Sequence, residues 1–264
     1  MLQQLKPPRI NSRLQRLLRP VATLRSGVFL IAIAAGAQVI YQTLEPLRVP
    51  TTEEQLKKHG IGISRDELIA ALSNPQADVR DLTSWQLASQ KDKEAIPFIK
   101  AAASIELNGT ARINMYASLI ALNDQASVTL LENTCADAKA ASGLRVHAAE
   151  AFLNVSKNRK CLSEVLSIAQ SATEDTARAA ALALLPNYFL KGGDAPTDEA
   201  LATVCHGLTD ESLFVRMQST SSLERIGTSK QAACLETALF QEQDETSRNG
   251  MERVLKSLRS RSAP

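Results

Sequence analysis

VRDLTSWQLASQ, residues 79–90, places an arginine second, a small residue three positions after it and a leucine seven positions after it. Thr83 and Leu87 therefore fall on one side of a helix, because offsets of three and seven return to the same face. The pattern recurs as ARINMYASLIAL (111–122), LRVHAAEAFLNV (144–155), ARAAALALLPNY (177–188), VRMQSTSSLERI (215–226) and SRNGMERVLKSL (247–258). Arg80, Arg112, Arg145, Arg178, Arg216 and Arg248 follow one another at spacings of 32, 33, 33, 38 and 32 residues. The long spacing contains Lys191-Gly-Gly-Asp-Ala-Pro196, a loop insertion. Seven residues after each arginine stand Leu87, Leu119, Phe152, Leu185, Leu223 and Leu255; three after it stand Thr83, Met115, Ala148, Ala181, Ser219 and Met251.

Before each of these segments runs another apolar stretch of helical character, such as 95–103, 127–136, 162–169 and 200–208. One helical pair every ~33 residues cannot bury its apolar face alone, so neighbouring pairs must stack. Composition agrees. The chain is 44% hydrophobic and only 4% aromatic, with Ala and Leu leading the apolar class, a mixture that suits close helix packing. No run of apolar/polar alternation bounded by turn residues argues for strands. The expectation is an all-α chain: an α-solenoid of about six helical pairs over residues 64–258. A capping box at Ser64–Glu67 opens it, a linker with one short helix (45–63) precedes it, and a short tail (259–264) follows.

The arrangement resembles HEAT repeats, in particular the short HEAT-like repeats of phycobilisome lyases. The apolar-Arg step that opens each second helix carries the likeness. So do the acids just ahead of it: Asp78, Glu174-Asp175, Asp210-Glu211 and Asp244-Glu245. Such acids also suit a helix N-terminus electrostatically. Asn108-Gly-Thr and Ser142-Gly replace the acid in two units, and Ser247 stands where an apolar residue is usual. The six arginines read as structural, pairing with acids or carbonyls between repeats.

Ahead of the repeats, Ser26 to Leu44 is free of charge, and residues 1–25 hold Lys6, Arg9, Arg13, Arg16, Arg19 and Arg25 without an acid. Nineteen helical residues span about 28 Å, close to a ~30 Å hydrocarbon core. The cationic flank predicts a cytoplasmic arm (1–25), a single transmembrane anchor (26–44) in the lipid bilayer and a solenoid on the exported side. Ala35-Gly-Ala37 also permits a signal peptide cut after Ala37, and a buried soluble helix is the third reading.

Catalytic chemistry is hard to find in this sequence. His59, His147 and His206 have no nucleophile or carboxylate at a recognisable spacing. Cys205-His206 with Cys234 lacks a fourth ligand and matches no zinc pattern, so no metal and no cofactor is expected. In the repeat register, Cys205 and Cys234 lie on adjacent first helices about 4.5 Å apart along the axis, within reach of a disulfide. Cys135 and Cys161 are offset by about 10 Å, so a bond there needs loops that restore the register. Once the basic arm is set aside the remainder is slightly acidic, which leaves no field for nucleic acid.

Taking +3, +7 and +10 as the buried arc, the offsets +1, +5 and +8 point outward. They carry Trp85, Ile113, Ile120, Val146, Leu153 and Met217, interrupted by Asp81 and Glu150. An exposed apolar patch of this kind marks a partner surface; the competing reading has these residues tilting into a curved stack. The function expected is a non-enzymatic, membrane-anchored scaffold or accessory subunit binding another protein or membrane complex. A rival, carried by the resemblance alone, is a lyase-type enzyme or subunit holding a chromophore or other ligand.

Overall fold

The computed structural model describes residues 49–155, 159–191 and 193–261. The basic arm and the apolar segment 26–44 lie outside them. Among the described residues no helix is long and apolar enough to cross a membrane, and every regular element is helical. The chain divides into two units, 1–50 and 51–264; the second holds all thirteen described α-helices.

These are α1 (Thr52–Lys58), α2 (Arg65–Ala71), α3 (Ala77–Ser89), α4 (Ile96–Ile105), α5 (Gly109–Ala121), α6 (Ala126–Ala136) and α7 (Ser142–Val155). Then come α8 (Leu162–Ser171), α9 (Asp175–Leu190), α10 (Asp198–Gly207), α11 (Leu213–Ile226), α12 (Ala232–Gln241) and α13 (Glu245–Ser260). Each arginine segment is the odd-numbered member of a pair. Within the unit α3, α5, α7, α9, α11 and α13 pack in a row, each on the next, while each also packs on the helix before it.

Local sequence accounts for the helix starts. Thr51 and Glu54 form a reciprocal capping box on α1, Asn108 accepts the Ala111 N–H at 3.0 Å, and Asp244 accepts the Ser247 N–H at 2.8 Å. The apolar positions account for the packing. All six residues at offset +3 and all six at +7 are buried, so the periodicity that defines the repeat also defines the core. Gly207 is required where α10 crosses α11, since a Cβ there would stand 2.2 Å from Ser219 Oγ.

Pro186 lies inside α9 and is buried. Having no N–H, it leaves the carbonyl four residues back without its helical donor. That carbonyl, Leu182 O, accepts the Ser222 hydroxyl of α11 at 2.8 Å. A defect in one helix thus becomes a bond to its neighbour.

The buried side chains form two clusters that meet within α5. Met115, Leu119 and Leu122 join the cluster built on α1–α4. Ile113 and Ile120 join the larger one, which runs through α13. Among the described residues only part-buried Tyr116 packs on both.

Candidate functional site

The repeat arginines make a ladder across the row. The Arg80 fork grips Glu106 through Nε and Nη2, both at 2.6 Å, while Nη1 donates to the carbonyls of Asn74 and Pro75. Arg178 grips Asp210 with two bonds of 2.8 Å and donates to the carbonyls of Ala172 and Thr173. Arg216 grips Glu242 at 2.8 and 3.0 Å and donates to the carbonyls of Asp210 and Glu211. Each gripped acid lies six residues before the next arginine. Its carboxylate serves the preceding unit, while its own carbonyl serves its own arginine. Arg112 and Arg248 keep that carbonyl bond, to Glu106 and Glu242, and Arg145 donates to Cys135 O at 3.0 Å.

The bidentate partners are desolvated, with Glu106 and Glu242 each 4% exposed, and paired charges in such a place hold their ionised form. The Arg80 bond holds Glu106 below the usual carboxylate range. Glu242 falls to about 2 under the Arg216 bond, opposed by burial and helped by Ser247 Oγ and the Asp244 N–H. Burial pushes Asp210 upward, yet Arg178 and the Ser212 N–H hold it low. Ser247 is polar in an apolar position because its hydroxyl donates to Glu242 at 2.6 Å. Of the acids named from sequence, only Asp210 is gripped by a bidentate arginine. Glu106 and Glu242 went unnoticed, although their shared place six residues before an arginine is readable in the sequence.

The expected partner surface needs correction. Ile113, Ile120, Val146 and Leu153 are buried, whereas Trp85 is 50% and Met217 42% exposed. An inner helix such as α5 packs against α3, α4, α6 and α7 at once, so its buried arc widens to include +1 and +8. The open stripe passes instead through +2, +5 and +9. It carries Trp85, Ala117 and Glu150 at +5, with Asn114 and His147 at +2, and Ala121 and Asn154 at +9.

On α3, α5 and α7 this stripe lines a groove of about 640 Å³, mostly apolar. A hydrogen-bonded chain crosses its floor. Asn114 Nδ2 donates to Asp81 Oδ2 at 2.7 Å, and His147 Nε2 lies 2.8 Å from Asn114 Oδ1. An amide oxygen only accepts, so His147 Nε2 carries the proton. Asp81, Asn114 and His147 are spaced by 33 residues each time, a neighbour relation visible only in the repeat register. Burial pushes the Asp81 carboxyl up, against the Asn114 bond and the His147 charge. Trp85 forms a half-exposed wall, and Lys191 donates to Asn154 at the far end.

Disulfides join Cys135 to Cys161 and Cys205 to Cys234, with Cα–Cα distances of 6.1 and 5.8 Å. Each ties the end of one first helix to the start of the next, and none of the four cysteines is free. Among the described residues no cluster of three His, Cys, Asp or Glu side chains is placed to hold a metal. Comparison of the chain with models of known families and with curated proteins gives no match.

Proposed function

We propose that residues 64–258 are a HEAT-like α-solenoid that acts as a scaffold, holding another protein or a membrane complex in the groove across α3, α5 and α7. The observation that carries this reading is the Trp85 groove itself. Three successive second helices contribute to it, and its half-exposed aromatic wall stands over a polar floor. Aromatic side chains beside fixed polar groups are the usual anchors of protein contacts. The repeat register and the arginine ladder support the solenoid, since each bidentate pair links one unit to the next.

The site of action in this proposal is the exported side of a membrane, with residues 26–44 as the anchor and residues 1–25 in the cytoplasm. The charge asymmetry of the sequence supports that topology. Two disulfides with no free cysteine among the four support an oxidising compartment.

The test is affinity purification of the tagged chain from solubilised membranes, with Trp85→Ala beside the parent. The proposal expects a partner recovered with the parent and lost with Trp85→Ala while helicity is unchanged. A partner retained in full by Trp85→Ala contradicts it.

A further inference from the structure

We infer that the Trp85 groove takes a cationic side chain, an arginine or lysine on an extended peptide segment of the partner. This rests on the scaffold reading above and names the chemistry of its occupant.

Charge complementarity is the main argument. Two carboxylates line the groove, Asp81 from α3 and Glu150 from α7. Among the described residues neither has an arginine or lysine within ion-pair distance, whereas Glu106, Asp210 and Glu242 on the ladder all do. The molecule pairs its structural acids with cations and leaves these two facing the groove. Asp81 spends only Oδ2 on Asn114, so Oδ1 is available to a donor from outside. The groups facing it are Asn114 and His147 from the packed helices, and neither supplies a permanent cation.

Trp85 adds the second element. It is the only tryptophan in the chain and stands half exposed in the same groove. An indole face beside a carboxylate suits a guanidinium or ammonium, which gains from the ring quadrupole and from the charge together. Leu82, Ala117, Ala121 and Val155 complete the wall; such apolar surface covers the methylene stem of a long basic side chain. Burial already pushes the Asp81 carboxyl up, disfavouring its ionised form, and this points the same way. An incoming cation relieves it.

A larger groove of about 660 Å³ between α2 and α4 differs on this point. It contains Arg80 and Glu106, already closed on each other, and offers no unpaired charge.

The probe is a fluorescein-labelled peptide of alternating arginine and glycine, titrated by anisotropy into the purified full chain. An isosteric control has citrulline in place of every arginine. The arginine peptide is expected to bind about ten-fold more tightly than the citrulline peptide. Asp81→Asn with Glu150→Gln should remove that difference, and Trp85→Ala should weaken the arginine peptide. Asp81→Asn alone, which keeps an acceptor for Asn114, guards against misfolding of the double variant. Equal binding of the two peptides, a preference that survives the double variant, or no binding of either overturns the inference. If that happens while Trp85→Ala still loses the membrane partner, the scaffold reading stands and only the cationic occupant fails.

Discussion

Arg178 and Arg112 hold the same place in the repeat but not the same neighbours. Arg178 is 8% exposed and makes two bonds to Asp210 and two to carbonyls. Arg112 has one carbonyl bond at 3.3 Å. Removing Arg178 strands a carboxylate and two carbonyls, so Arg178→Ala should cost about 3–5 kcal/mol. Arg112→Ala should cost no more than about 1 kcal/mol. Urea unfolding of both variants gives the comparison; equal losses would show that the ladder acids are not what the arginines stabilise. The ladder also sets a pH dependence. Glu242 sits at about 2 in the folded chain against an ordinary 4.5. Its contribution is therefore fully present above about pH 4.5 and fades as the pH falls through about 2. Glu106 and Asp210 are shifted in the same direction. Glu242→Gln should flatten the loss of stability between pH 5 and pH 2, measured as the urea midpoint at each pH; an unchanged slope would place the acid sensitivity elsewhere. At this scale the sequence disclosed the arginines and withheld most of their partners. Only a count of residues between units reveals Glu106 and Glu242, because the two ends of each bond belong to different units.

The joint between α5 and the α6–α7 pair differs from the other joints in the row in two respects. The two hydrophobic clusters meet there. Among the described residues the joint also has neither a bidentate arginine pair nor a disulfide: Arg112 has no carboxylate in its fork, and where Arg145 lacks one too, Cys135–Cys161 ties the units. By contrast, Arg178–Asp210 ties α9 to the following pair, and Arg216–Glu242 is reinforced by Cys205–Cys234. Local opening follows the weakest packing, so amides of α5 and α6 should exchange faster than those of α9 and α11. Hydrogen exchange followed by mass spectrometry reads this directly, and uniform protection along the row would reject the difference. Element type was legible throughout, from the +3 and +7 positions. The outward face was not. A heptad-like arc assumes one packed side, but Ile113, Ile120, Val146 and Leu153 are buried on helices that the units on both sides pack against, and the stripe that stays open is rotated toward Asn114, His147 and Ala121. Three repeats aligned in register would have brought out Asp81, Asn114 and His147 together; read singly, each looks like a solvated polar residue.

At the scale of the whole molecule, the repeat made the all-helical unit readable because every pair must bury itself on the next, and that demand writes the same offsets six times. Of the site, Trp85, Asp81 and Glu150 were legible on the outward offsets; the rest was not, since a groove is made by the distance between helices and no spacing in one helix records it. The most direct measurement places a photo-crosslinking benzoylphenylalanine at Ala121, inside the groove, or at Leu130, exposed on the first helix α6. Each full-length variant is then irradiated in native membranes. A partner adduct from position 121 and none from position 130 is the predicted result. An adduct from 130 with none from 121, or none from either, would contradict a scaffold that holds its partner in the Trp85 groove.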